Sequence, residues 1–231
     1  LSLSLIFNGL IPSLSKIPPL VCCFPLQDRI MTITFTEPNQ QDRWENRYAK
    51  GATGWDRGES SPALDRWLPQ MPVPPARVLI PACGRGYEVI TLCQQGFTVT
   101  AVDFAPSAIA ALNLELKKRQ AQATVVQSDL LAWEPPQPFD VIYEQTALCA
   151  LEPTLWPEYA DRLCNWLVPG GMLLGLFIQT NRAGGPPWHC ALDSLETLFG
   201  SDKWVWPEQK DQTIGHPSGL KELALVLKRR D

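Results

Sequence analysis

Histidine is scarce: the 231-residue chain has two. Its seven cysteines are odd in number and irregularly spaced, and they include no C-x-x-C pair. Neither a zinc site nor a disulfide framework is therefore indicated, and no metal is expected. Reduced thiols in a cytoplasmic protein are the plain expectation. No stretch of 18 apolar residues occurs, so no membrane-spanning helix is predicted. No basic run is longer than the terminal Lys228-Arg229-Arg230, and the formal net charge is −4. That balance excludes a nucleic-acid binder relying on phosphate neutralisation. No Ser-His-Asp set, paired-carboxylate pattern or internal repeat is evident.

What is present reads as a globular chain, 45% apolar and 19% charged, with enough residues for one large domain. Residues 1–30 stand apart, rich in Leu, Ser and Pro with almost no charge. They lack the basic start of an export signal and are expected to be an unstructured upstream extension, with Met31 as the natural start. A single domain is then expected over 31–231. Its segment 37–68 is polar and carries Trp44, Tyr48 and Trp55 among glycine breakers. Helices are predicted at about 40–49 and 61–68, followed by a proline-rich linker.

Beyond the linker, strands and helices alternate. Strands are predicted at "RVLIPA", "FTVTAVDF", "ATVVQSD", "FDVIYE" and "MLLGLFIQ", and near 203–206 and 222–228. Helices are predicted over 86–95, from Pro106, over 155–167 and over about 191–199. Such alternation implies a Rossmann-like α/β fold, with a mostly parallel seven-stranded sheet and helices on both faces.

Ligands of such sheets bind beyond the carboxyl ends of the strands. The stretch "VLIPACGRGYEV" ends the first strand there. Gly84 and Gly86 lack Cβ atoms, so backbone can approach a ligand closely, and the next helix points free N–H groups at the same place. Asp103 ends the second strand, 19 residues after Gly84, where a carboxylate accepts from both hydroxyls of a ribose. Ser128, Asp129 and Leu130 end the third strand, where Asp129 can bind an adenine amino group and Leu130 cover the ring. A dinucleotide fingerprint wants a third glycine, and Val89 occupies that place. An adenosine cofactor without a pyrophosphate, S-adenosyl-L-methionine, fits better, so methyl transfer is preferred over hydride transfer. Ordinary turns and caps remain the bland alternative.

Four stretches together resemble the thiopurine and halide/thiol methyltransferase superfamily, a branch of the class I S-adenosylmethionine-dependent methyltransferases. They are "WENRYAKGATGWDRGESSPAL", "VLIPACGRGYEV", "FDVIYEQTALCALEP" and "GGPPWHC". They run in the family's order from about Trp44 to Phe199, and the halide/thiol branch reads closer. The resemblance implies that 37–68 is an N-terminal lid whose Trp44 and Trp55 close over the cofactor, with Tyr48 packing on the same ligand. It implies Ala82 and Gly84 against the methionine moiety, Asp103 on the ribose and Ser128, Asp129 and Leu130 on the adenine. Trp188 takes the aromatic position after G-G-P-P, near the transferred methyl group. Gln145 departs from the pattern: the family commonly has Tyr or Arg there, at a cofactor-carboxylate or substrate contact.

The implied activity is in-line methyl transfer to a small soft nucleophile: a thiol, thiopurine-like compound, halide or thiocyanate. Trp55 and Trp188 would cage the cationic sulfonium. A thiol with a pKa of about 8 needs little help from a base. His189 is read as solvent-facing, Cys149 as packing, and Glu144 as orienting substrate or capping a helix. The expected partner is a small molecule and the expected state a monomer. A non-catalytic cofactor-binding module and an NAD-dependent oxidoreductase are the alternatives.

Overall fold

The carboxyl-end crevice inferred above depends on strand order, and a computed structural model supplies it for residues 40–231. The expected extension 1–30, its boundary at Met31 and lid positions 37–39 lie outside the described residues. Gln40–Asp231 form one unit.

Five strands run parallel: β1 (Arg77–Pro81), β2 (Thr98–Asp103), β3 (Thr124–Gln127), β4 (Phe139–Gln145) and β5 (Leu167–Gln179). Three more add antiparallel on one side: β6 (Trp204–Val205), β7 (Thr213–Gly215) and β8 (Lys221–Arg229). The order is β3-β2-β1-β4-β5-β8-β6, with β7 also on β8. The sheet thus has eight strands rather than seven. The extra one is β7, three residues that become a strand only by pairing with β8. The chain builds outward from β1 to β3, then returns to place β4 on the other side of β1, so the order reverses between β1 and β4. A crevice opens beyond the carboxyl ends at such a reversal.

The helices are α1 (Gln40–Ala49), α2 (Pro62–Trp67), α3 (Tyr87–Gln94), α4 (Pro106–Arg119), α5 (Ala147–Ala150), α6 (Trp156–Trp166) and α7 (Leu192–Leu198). Local chemistry sets several ends. Ser61 caps α2 by accepting from the Ala63 N–H, with Pro62 in the first turn. Pro106 opens α4, and Lys117, Lys118 and Arg119 fill its last turn, where the helix dipole favours cations.

Side chains alternate across the sheet and fill two cores. Val78, Ile80, Val141 and Leu174 face α2, α3 and α4, packing on Leu64, Leu92 and Leu112. Leu79, Ile142, Leu173 and Leu225 face the opposite layer, with Tyr159 and Leu163 of α6 and Leu195 of α7. Strands buried on both faces read as continuous apolar runs, which is why "VLI" and "MLLGLFI" stand out in the sequence. β5 starts five residues before the predicted Met172. Phe139 pairs with Leu167 and Val141 with Met172, so Val168–Gly171 bulge out of register, helped by Gly170 at φ 74°.

Candidate active site

The turn after β1 is built around backbone that only small residues accept. Ala82, Gly84 and Gly86 have φ of 48°, 54° and 73°. A Cβ on Gly86 would lie 2.4 Å from Leu112 Cδ1, so glycine is demanded there twice over. The Gly84 N–H donates to Asp103 Oδ2 at 2.8 Å, and the Ala105 N–H to Asp103 Oδ1 at 2.9 Å. Two backbone bonds therefore fix the buried Asp103 carboxylate at the end of β2, leaving each oxygen further accepting capacity. Burial pushes its pKa up, while the backbone N–H groups oppose that rise.

Beyond these strand ends lies a cavity of about 520 Å³. Asp103, Asp129 and Leu130 line one part of it, with Ala82. Trp44, Tyr48 and Trp55 line another. Thr146, Cys149, Ile178, Pro186 and Pro187 contribute a further, mostly apolar wall, with Arg182 as its cation. Trp44 and Trp55 meet edge to face at 5.4 Å between ring centroids, and Tyr48 and Trp55 at 5.6 Å. The Arg47 guanidinium lies 5.3 Å from the Trp44 ring centre and 5.7 Å from that of Trp55.

This aromatic group is tied to the sheet by polar contacts. Glu45 accepts from the Ser107 N–H at 2.9 Å and from the Ser107 hydroxyl, and Gln41 Nε2 donates to the Phe104 carbonyl at 3.2 Å. Asp56, in the loop after α1, pairs at 2.7 Å with Arg85 of the turn after β1. His216 Nε2 lies 3.1 Å from the Trp55 carbonyl; a carbonyl only accepts, so Nε2 carries the proton. His216 Nδ1 then accepts from the Ser218 N–H at 3.1 Å. Burial lowers the His216 pKa, in keeping with this neutral form.

A second, smaller cavity of about 60 Å³ adjoins the first, sharing Tyr48, Trp55, Ala82 and Thr146 as lining. Its own walls include Gly84, Arg57, Arg85, Glu88 and Gln145. Thr146, common to both, has φ 69°, a left-handed conformation that is strained for a β-branched residue.

Of the residues singled out in the sequence, Trp44, Trp55, Ala82, Asp103, Asp129 and Leu130 come together on the large cavity. Gly84 and Gln145 line the small one. Ser128 lines neither: its N–H donates to the Asp103 carbonyl at 3.0 Å and its hydroxyl to the Asp129 carbonyl at 3.3 Å. Trp188 also lines neither. Its backbone N–H donates to the Cys149 carbonyl at 2.8 Å, while its buried indole Nε1 has no partner, and its ring passes 2.5 Å from where a Cβ on Gly185 would stand. The wall position near Cys149 is taken instead by Pro186 and Pro187, so Trp55 and Trp188 do not form the expected pair around the cavity.

Glu144 is fully enclosed and accepts from the Leu148 N–H at 2.7 Å, the helix-capping alternative. Its other oxygen has no partner, and burial pushes its pKa to about 7. Cys149 does more than pack: it is buried yet lines the cavity, and burial raises its thiol pKa well above the ordinary value. His189 accepts from the Asn181 N–H at 3.4 Å and does not line the cavity. Arg57, His216 and Glu222 are site residues that sequence reasoning does not find. One signal exists: Glu222 shares a strand face with Ala224 and Val226 and is wholly buried. A carboxylate in an alternating apolar strand implies a partner elsewhere.

Residues 39–225 match the family model for thiopurine S-methyltransferase. The chain is 30% identical over 164 residues to a probable thiol methyltransferase 2 of Arabidopsis thaliana, covering 70% of this chain and 73% of that one. It is 30% identical over 166 residues to thiocyanate methyltransferase 1 of Brassica oleracea, covering 71% and 74%. Among solved structures it superposes on a 1,6-didemethyltoxoflavin-N1-methyltransferase of Burkholderia thailandensis with a TM-score of 0.67 at 19% identity, covering 87% and 94%, a likeness of fold. The oxidoreductase alternative is set aside by this agreement, and the chain belongs to the thiopurine S-methyltransferase family, with the Rossmann-like fold of class I methyltransferases.

Proposed function

We propose that this chain is an S-adenosyl-L-methionine-dependent methyltransferase acting on a small soft nucleophile: a thiol, a thiopurine-like compound, thiocyanate or a halide. The observation that carries this reading is the cavity itself. It joins a carboxylate-bearing end at β2 and β3 to an apolar end at Thr146, Cys149, Ile178 and Pro186. The residues present suit the cofactor. Asp103 is held by backbone with capacity left for two hydroxyls, Asp129 and Leu130 stand at the next strand end, and the Gly84 turn leaves room beside Ala82. The cofactor supplies an electrophilic methyl group on a sulfonium.

The chain's own work is to bind, orient and exclude water. Trp44, Tyr48 and Trp55 act as the lid over the cofactor half, and their electron-rich rings suit a cation. Pro186 and Pro187 wall the acceptor half, and Trp188 packs against the core. Among the described residues no free base lines that half: His216 holds its proton toward Trp55, and Glu144 is outside the lining. An acceptor that ionises by itself is therefore favoured. The described residues act as one catalytic unit and as a monomer. Five free cysteines among them suit the reducing cytoplasm, and no helix of the described residues is long and apolar enough to cross a membrane.

The test is turnover with radiolabelled S-adenosylmethionine and a panel of aryl thiols of graded acidity, thiocyanate, iodide, phenols and amines. Methylated thiols or anions, with the pH–rate midpoint tracking each acceptor's own ionisation, are expected. Methylation of amines or phenols in preference, or cofactor binding with no turnover on any acceptor, would reject the reading in favour of another acceptor class or a binding module.

A further inference from the structure

The departure at Gln145 raises the question of what meets the anionic end of the cofactor. Gln145 is engaged through both its oxygen and its nitrogen. Its Nε2 donates to Glu222 Oε1 at 3.0 Å and Oε2 at 3.3 Å, and its Oε1 accepts from the Tyr143 hydroxyl at 3.1 Å. A second side chain reaches the same carboxylate from far away in sequence. Arg57, 165 positions from Glu222, places Nη1 at 3.3 Å from Glu222 Oε2. Both Arg57 and Glu222 are buried, with side-chain exposures of 9% and 0%.

The donors of Arg57 can be followed one by one. The end of the guanidinium, Nη1 and Nη2, grips the Gly215 carbonyl with both distances 3.1 Å. The remaining Nη1 hydrogen goes to Glu222. A guanidinium has about five N–H donors in a fixed plane. What is left is the side edge: Nε–H, which is buried with no partner, and the second Nη2–H beside it. Those two point in parallel, the arrangement that takes a carboxylate in two-pronged fashion. Arg57 lines the small cavity, with Gly84 and Gln145, and not the large one.

We propose that Arg57 binds the carboxylate of the cofactor's methionine tail in the small cavity, supplying a guanidinium from the lid loop beside Gln145. This rests on the cofactor reading above. The role of Glu222 follows: with the Gly215 carbonyl it fixes the guanidinium plane so that the side edge faces the tail. Because Arg57 follows Trp55 by two residues, binding of the tail also holds the Trp55 ring in place over the cofactor.

The experiment is calorimetry with two ligands, S-adenosylhomocysteine and 5′-methylthioadenosine, which keeps the adenosine and sulfur but has no amino-acid tail. The proteins are wild type, Arg57→Gln, Arg57→Gln/Gln145→Arg, and Arg57→Gln/Glu222→Gln, the last leaving no buried charge unpaired if Arg57→Gln alone folds poorly. Loss of a charged, two-pronged contact is expected to cut S-adenosylhomocysteine affinity about tenfold or more. Methylthioadenosine affinity should stay within about twofold, and Gln145→Arg should restore part of the loss. Equal loss for both ligands would overturn the proposal and leave Arg57 only seating the lid loop. Unchanged S-adenosylhomocysteine affinity would overturn it as well. If the wild type binds neither ligand, the cofactor reading itself fails, and this proposal with it.

Discussion

Replacing Asp103 by asparagine is the sharpest probe of the cofactor half. The carboxylate oxygens accept from the Gly84 and Ala105 N–H groups at 2.8 and 2.9 Å, so each has capacity for one further donor, and a ribose offers two hydroxyls. Asparagine keeps the shape and one acceptor but loses the charge and turns the other oxygen into a donor. One charge-assisted hydrogen bond, worth about 1.5–3 kcal/mol, should therefore be lost, a drop of about 10- to 150-fold in affinity. The amide also faces a backbone N–H, so thermal melts must accompany calorimetry. Unlike Arg57→Gln, this change should weaken S-adenosylhomocysteine and 5′-methylthioadenosine by the same factor, since both carry the ribose. The pH dependence has a definite sign. Burial raises the Asp103 pKa, with a smaller push from Glu45. The charged acceptor is thus present above that pKa and lost as pH falls through it, so wild-type affinity should decline on acidification while the variant's should not. A folded variant with unaltered affinity would refute the ribose assignment.

Gly86→Ala should cost about 2–5 kcal/mol in urea unfolding, combining the left-handed backbone of an L-residue with overpacking against Leu112; a loss below about 0.5 kcal/mol would show that the turn relaxes freely. Glu144→Gln should change the pH profile of stability. The folded carboxyl is pushed from the ordinary 4.5 to about 7 by burial, so the unfolded chain ionises first and stability falls as pH rises between those values, levelling off above. The variant lacks that fall and should gain on the wild type by up to about 3 kcal/mol across the interval, measured by denaturation at pH 4.5 and above 7; parallel profiles would mean that the carboxylate is solvated.

The parts of the fold legible in the sequence are those whose signal is local. The apolar runs of β1, β4 and β5 are bounded by proline or glycine, and Pro106 and Gly96 mark helix ends. β7 is not legible because Thr213-Ile214-Gly215, though two of its residues are β-branched, is too short to show a period and is a strand only against Lys221–Leu223 of β8. α5 escapes for a related reason. Its four residues follow Thr146 in a left-handed conformation, and its end is held by Glu144, so tertiary contacts rather than helix propensity define it. In the site, Asp103 is legible because its spacing from Gly84 is set by one strand–helix–strand unit. Trp188 cannot be placed by motif alone. Whether an aromatic after two prolines faces the cavity or the core depends on the bond from the Trp188 backbone N–H to the Cys149 carbonyl and on the bare Gly185 beside it.

The residues that escape the sequence, Arg57, His216 and Glu222, share a cause that bears on function. They come from separate segments, as does Gln145, and the role of each depends on the others. Taken singly, Gln145 looks like the loss of a binding residue. Beside Arg57 it is one of two side chains that hold the Glu222 carboxylate, the strand supplying the neutral amide and the loop the cation. Where the cation sits matters. A guanidinium on β4 is fixed by the sheet whether or not ligand is present, whereas one on the loop is held by Glu222 and Gly215 and moves only if those contacts break. Binding of the tail and seating of Trp55 are then coupled through the short stretch of chain between Trp55 and Arg57, and the free energy of one must appear in the other. Ligands with the tail should protect the loop around Trp55 from hydrogen exchange more than ligands without it, and that asymmetry follows from where the arginine sits rather than from any additional contact.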